Sequence, residues 1–147
     1  MTGPRTCSRD FPGTIEAASD AEIWLASQAT APGLGQEAEF AIGLCLEEVF
    51  LNAVKHGRAN RATICMCAKP EGVIVEFADD GAPFDATLAP AERMGDPTQD
   101  FDIGDSGAGL LQKFSKRMSY SRFEGMNHLV LEFDAGRNGG PDSLNAP

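Results

Sequence analysis

Glu48, Asn52 and His56 recur at intervals of four in the run Leu46-Glu47-Glu48-Val49-Phe50-Leu51-Asn52-Ala53-Val54-Lys55-His56-Gly57. Four residues make about one helical turn, so a carboxylate, a carboxamide and an imidazole share one face of an otherwise apolar helix. Polar groups drawn toward a core need partners. A carboxylate there can take a proton from an attacking hydroxyl or water. A carboxamide oxygen can coordinate magnesium beside phosphate oxygens. The stripe therefore suits a magnesium ion and a nucleotide. Lys55 is placed to reach a phosphate, although a lysine at a helix end also suits the helix dipole. Taken alone, E-x-x-x-N is equally the pattern of a solvated or capped helix.

Two further stretches could do chemistry. Asp79-Asp80-Gly81-Ala82-Pro83-Phe84-Asp85 follows a β-branched run. A carboxylate at a strand end can accept a hydrogen bond from an exocyclic amine, and Gly81 lacks the Cβ that would obstruct a flat ring. The same residues also make a plain turn. Gly104-Asp105-Ser106-Gly107-Ala108-Gly109-Leu110 precedes a helix. Glycines free backbone N–H groups to approach an anion, and a helix N-terminus favours negative charge. The stretch lacks the Lys-Ser/Thr of a P-loop, and no strand leads directly into it as in a dinucleotide-binding fingerprint.

The elements that must position these residues are legible in outline. Thr6 to Phe11 reads as an edge strand, broken by Pro12-Gly13. Ser19, with Glu22 three residues on, has the capping-box spacing for a first helix. That helix is apolar through Ile23, Trp24, Leu25 and Ala26 and stops near Ala31-Pro32-Gly33. A second runs from about Gln36 to Lys55 and ends at Gly57. Phe40, Ile42, Leu44, Leu46, Val49, Phe50, Leu51 and Val54 make it apolar around most of its circumference. Arg61 to Cys67 and Val73 to Ala78 form a hairpin about Lys69-Pro70-Glu71-Gly72. From Ala82 to about Ser106 periodicity is lost. The length of that segment fits a lid, with a short helical turn around Ala89 to Met94. A third helix spans about Leu110 to Arg117. Strands at Ser119 to Phe123 and His128 to Phe133 complete a count of five strands and three helices. Residues 134–147 have the composition of a disordered tail.

The chain has 147 residues, enough for one domain with its own core. Its net charge of −10 argues against direct nucleic-acid binding. No apolar run approaches the roughly 20 residues of a membrane span, and the N-terminus lacks a signal-peptide h-region, so a cytoplasmic location is the expectation. Cys65 and Cys67 stand alone as C-x-C and, with Cys7 and Cys45, read as free thiols rather than zinc ligands.

The three constellations in this order resemble those of the GHKL ATPases with the Bergerat nucleotide-binding fold, and within them the stand-alone anti-sigma-factor serine/threonine kinases of bacteria. The stretch from Glu48 to Gly57 is similar to their N box, Asp79 to Asp85 to their first glycine box, and Ser106 to Leu110 to their second; the likeness covers residues 6–133. It implies a two-layer α/β sandwich, a mixed, mostly antiparallel sheet with helices on one face. It makes Glu48 the catalytic base and Asn52 the magnesium ligand. Asp79 then reads the adenine amine with Gly81 beside the base. Gly107, Ala108 and Gly109, with Gly104, wrap the phosphates. Lys55 and the box residues Phe84 and Leu110 fall within the same nucleotide site.

The cofactors implied are ATP and Mg2+. The partners implied are a small anti-anti-sigma antagonist of the STAS type and a sigma factor, and a homodimer is common among such kinases. His56 is then structural, because the dimerisation helices that carry a sensor kinase's acceptor histidine are missing. One departure weighs against turnover. Some members carry an arginine just before the second glycine box, where this chain has Asp105. A nucleotide-binding interaction module that transfers nothing is therefore the rival reading. A detached sensor-kinase domain acting on a partner's histidine is the third.

Overall fold

A computed structural model describes residues 5–30, 34–88 and 107–135. Among them, five strands form one sheet: β1 (Arg5–Pro12), β2 (Arg61–Lys69), β3 (Gly72–Asp79), β4 (Arg117–Phe123) and β5 (Met126–Asp134). Their order is β1-β2-β3-β5-β4. Every pairing among the described strands is antiparallel, so the parallel component of the expected mixed sheet is absent there. The helices are α1 (Ile15–Thr30), α2 (Gln36–Lys55) and α3 (Gly107–Phe114).

Alternation along the strands sends one face inward. Ala62, Ile64, Met66 and Ala68 of β2 are buried, as are Val73, Val75 and Phe77 of β3 and Leu129, Leu131 and Phe133 of β5. Their neighbours in sequence, including Cys65, Cys67, Ile74 and Val130, lie half-exposed on the opposite face. The helices cover the inward face and complete the expected α/β sandwich. The hairpin between β4 and β5 turns on Glu124 and Gly125, both at positive φ (54° and 75°), which matches strand twist in a two-residue turn.

The helices depart from the sequence reading in four places. First, α1 starts at Ile15, ahead of the start that a Ser19 cap would set. Thr14 caps it instead, its Oγ1 accepting the Ala17 N–H at 3.2 Å. Second, its buried stripe is Ala17, Ala18, Ala21 and Leu25, whereas Ile23 points outward, 69% exposed. Third, α2 is less enveloped than its composition promised. It buries Ala38, Ala41, Ile42, Cys45, Leu46, Val49, Phe50 and Ala53 in one stripe, and leaves Phe40 64% exposed. At its end the left-handed residue is Arg58 (φ 55°), not Gly57. Fourth, α3 ends at Phe114 and not near Arg117, because the Lys116 N–H donates to the Glu132 carbonyl at 2.7 Å and starts β4 beside β5.

Phe50 ties the layers together. It is fully buried, edge-on to Phe77 of β3 (5.5 Å between centroids) and to Phe11 of β1 (6.2 Å), and Phe11 in turn meets Trp24 of α1 at 5.9 Å. Phe50→Ala would leave a cavity at the junction of α2 and the sheet, with an expected cost of about 3–5 kcal/mol. Urea denaturation should show that loss as a lowered midpoint with an unchanged m-value.

Residues 89–106, with the expected helical turn, most of the expected lid, Gly104 and Asp105, lie outside the described residues, as do residues 136–147 of the tail. The first part of the expected lid, Ala82 to Leu88, is described. There the Asp85 carboxylate accepts the Thr87 N–H at 2.9 Å and closes a local turn.

Candidate functional site

The middle of α2 carries the stripe as expected. Glu48 and Asn52 are half-buried, and the Asn52 Nδ2 donates to Glu48 Oε2 at 2.9 Å. That bond consumes an amide hydrogen, and among the described residues the Asn52 Oδ1 takes no hydrogen bond, which leaves it as the kind of oxygen a hard cation needs. One turn before Glu48, Cys45 is fully buried. Burial, then the Glu48 carboxylate, push its thiol up to about 12, so it remains protonated and adds no nucleophile to the site.

Opposite the stripe is the end of β3. Asp79 belongs to the inward face, continuing Val73, Val75 and Phe77, and is buried at 5% exposure. The two aspartates of Asp79-Asp80 divide their work. Asp80 Oδ1 accepts the N–H groups of Asn60 (2.8 Å) and Arg61 (3.0 Å), fixing the entry into β2. Asp79 Oδ1 accepts the Gly81 N–H at 2.8 Å and the Asn127 Nδ2 at 3.1 Å. Among the described residues its Oδ2 takes no hydrogen bond, so one carboxylate oxygen is held and the other is available. Burial raises the Asp79 pKa. The Asn127 and Gly81 hydrogen bonds pull the other way, and the net shift is upward.

Asn52, Asp79 and Phe84 line one narrow cleft, with Gly57 and Asn127 also in its wall. Phe84 stacks on His56 (6.0 Å between centroids, 14° between planes), a contact between the end of α2 and the segment after β3. Gly81 is buried behind Asp79. A Cβ there would stand 2.8 Å from the Gly57 carbonyl oxygen and 2.9 Å from Asp79 Oδ1, so the glycine is needed for this close approach whatever it does beside a ring. Lys55 is exposed at the end of α2 and outside the cleft wall. Gly107, Ala108, Gly109 and Leu110 form the first turn of α3, so this part of the expected phosphate loop is itself helical, and none of the four lines the cleft. Leu110 packs against the core beside the fully buried Leu111.

The sequence reading missed the residues that hold Asp79. Asn127, 4% exposed, donates through Nδ2 to Asp79 Oδ1 and, at 2.9 Å, to the Ala82 carbonyl. Its Oδ1 accepts the Phe84 N–H, the Tyr120 hydroxyl and the Arg122 Nη1. Arg122 also donates to the Gly81 carbonyl at 2.7 Å. With its side chain saturated, Asn127 positions the site and has no donor left for a ligand. A signal for it was present, since Asn127 shares the parity of Leu129, Leu131 and Phe133 and is the one polar residue on that apolar face of β5.

The fit to a magnesium-bound nucleotide rests on these atoms. Among the described residues, a carboxamide oxygen of Asn52 without a hydrogen bond lies on one wall, and a carboxylate oxygen of Asp79 without one lies on the other. Among the described residues no helix is long and apolar enough to cross a membrane.

Residues 11–133 match the model of the histidine kinase-like ATPase domain. The chain is also similar to a serine/threonine-protein kinase, BtrW, of Bordetella bronchiseptica. The two are 28% identical over 131 residues, covering 86% of this chain and 92% of the relative. A domain match spanning most of the sequence makes this chain a member of the histidine kinase-like ATPase family, and its nucleotide is ATP.

Proposed function

We propose that this protein is a serine/threonine kinase of the anti-sigma type. It transfers the γ-phosphoryl group of ATP to a serine or threonine hydroxyl on a small STAS-type anti-anti-sigma antagonist, and it holds a sigma factor in the alternative complex. The observation that carries the reading is Asn52, hydrogen-bonded to Glu48 one turn before it, facing Asp79 across one cleft. It is supported by the box resemblance and by the kinase name of the Bordetella relative.

Asp79 Oδ2 accepts the adenine amine and sets the orientation of the nucleotide. Asn52 Oδ1 would hold magnesium, which would supply charge neutralisation for the phosphates. The first turn of α3 offers its N–H groups to the phosphate chain. The acceptor oxygen forms a bond to the γ-phosphorus as the bond to the bridging oxygen of ADP breaks. The hydroxyl proton passes to the Glu48 carboxylate. Positioning and electrostatics provide most of the catalysis in such transfers. The protein acts in the cytoplasm as a homodimer and does not contact nucleic acid directly, in keeping with its net charge of −10.

The test is incubation of the purified protein with labelled ATP, magnesium and a candidate antagonist. Acid-stable label on the antagonist is the expected result. Acid-labile label would assign the activity to a histidine target. Asp105, just before the second glycine box, favours one other reading, a nucleotide-binding module that regulates by shape alone. Calorimetric binding of ATP without any transfer would select that reading.

A further inference from the structure

The outer side of the helix layer carries a second concavity. It lies between α1 and α2, has a volume of about 240 Å³, and shares no lining residue with the nucleotide cleft. Buried Ile42 contributes to its floor, and Phe40 stands beside it 64% exposed. Gly43 keeps it open, for a Cβ at that position would meet nothing within 4 Å. An apolar cavity of about 150 Å³ already accepts a benzene ring, so this one has room for a large apolar side chain.

Its charge is one-sided. Glu22 of α1 and Glu39 and Glu47 of α2 line it, and no lysine or arginine does. None of the three glutamates is in an ion pair among the described residues. Burial, then the Glu47 carboxylate, raise the Glu22 pKa, so two like charges are held together at the expense of the free protein. Such an arrangement gains most from an incoming cation.

We propose that this groove docks a basic amphipathic helix of a partner protein, with one large apolar side chain inserted over Gly43 beside Phe40 and lysines or arginines against Glu22, Glu39 and Glu47. Helix-in-groove recognition places apolar anchors at intervals of three and four residues with charges flanking them, which is the complement of this surface. The proposal is independent of phosphoryl transfer. A protein with no kinase activity would still carry the groove.

The probe is a fluorescein-labelled amphipathic leucine–lysine helical peptide, followed by anisotropy against the full chain. Two variants test the groove. Gly43→Leu adds a side chain whose Cβ meets nothing within 4 Å, and a better helix former in mid-helix should raise the melting temperature. Glu47→Lys reverses one rim charge. Glu71→Lys, in the exposed turn between β2 and β3, makes the same change of net charge elsewhere.

The expected result is at least a tenfold loss of affinity for Gly43→Leu and for Glu47→Lys, with Glu71→Lys within twofold of wild type. A leucine–glutamate peptide of the same pattern should not bind. Equal losses for Glu47→Lys and Glu71→Lys would reduce the effect to diffuse charge attraction and overturn the proposal. Unchanged binding by Gly43→Leu would do the same. Sedimentation showing a self-associated wild type that Gly43→Leu dissociates would give the groove to a second copy of this chain instead.

Discussion

Asp79→Asn should weaken ATP binding by about 100-fold or more while leaving the protein at least as stable at neutral pH. The substitution keeps the shape and keeps Oδ1 as acceptor for Gly81 and Asn127. What changes is the outward atom, from an acceptor oxygen to an NH2 donor that would face the adenine amine in the proposed site. A hydrogen bond to a charged group contributes about 1.5–3 kcal/mol, and an unpaired buried donor costs about 1–3 more. Since each 1.4 kcal/mol is about tenfold in affinity, the two together account for the expected loss. Titration calorimetry measures it, and an affinity within threefold of wild type would remove Asp79 from the nucleotide site.

The stability half follows from the direction of the pKa. Burial holds the folded Asp79 carboxyl above its ordinary value of 3.8. The folded state therefore binds its proton at higher pH than the unfolded chain does. The contribution of this group to stability is fully present below the unfolded pKa and is lost as pH rises through the folded one. The Asp79→Asn substitution abolishes that dependence. In the wild type the same protonation removes the acceptor, so ATP affinity should fall on acidification at a pH above the usual aspartate range, while this group's contribution to stability rises.

Glu48→Gln should reduce phosphoryl transfer by about 10²–10⁴-fold, the range that a positioned general base contributes. ATP affinity should stay within a few-fold. Glutamine keeps an oxygen that can accept the Asn52 Nδ2, so Asn52 Oδ1 would stay available to the proposed metal. The base is lost and the metal ligand is kept. Single-turnover transfer at saturating ATP reports the chemical step alone. Transfer equal to wild type would leave Glu48 as nothing more than a partner for Asn52.

The parts of this molecule legible in its sequence are those fixed by local period. The β2–β3 hairpin and α2 follow from alternation and from helical spacing, and they carry Glu48, Asn52 and Asp79. The ends of helices were harder, because they depend on competition between neighbours. Thr14 and Ser19 can both cap a helix, and Thr14 does so because β1 ends at Pro12 and the chain must turn there. The exposure of Phe40 and Ile23 was hidden, because composition counts apolar residues without saying which face the sheet covers. Asn127 was hidden for a different reason. Its partners Asp79, Ala82 and Phe84 lie more than 40 residues away in sequence, and only the β3–β5 pairing, with Asp79 opposite Asn127, brings them together.

The Gly57 carbonyl accepts the Ala82 N–H at 2.9 Å, where the end of α2 meets the end of β3. A side chain added at Gly81 would strike that same carbonyl. The two walls of the cleft are thus joined through one peptide group, and substitutions on either side of it cannot be independent. Energetic coupling between positions 57 and 81 should make their double-mutant cycle strongly non-additive. Drift at one of these sites then limits what the other can accept, so the join constrains how the two ends of the ATP site can evolve.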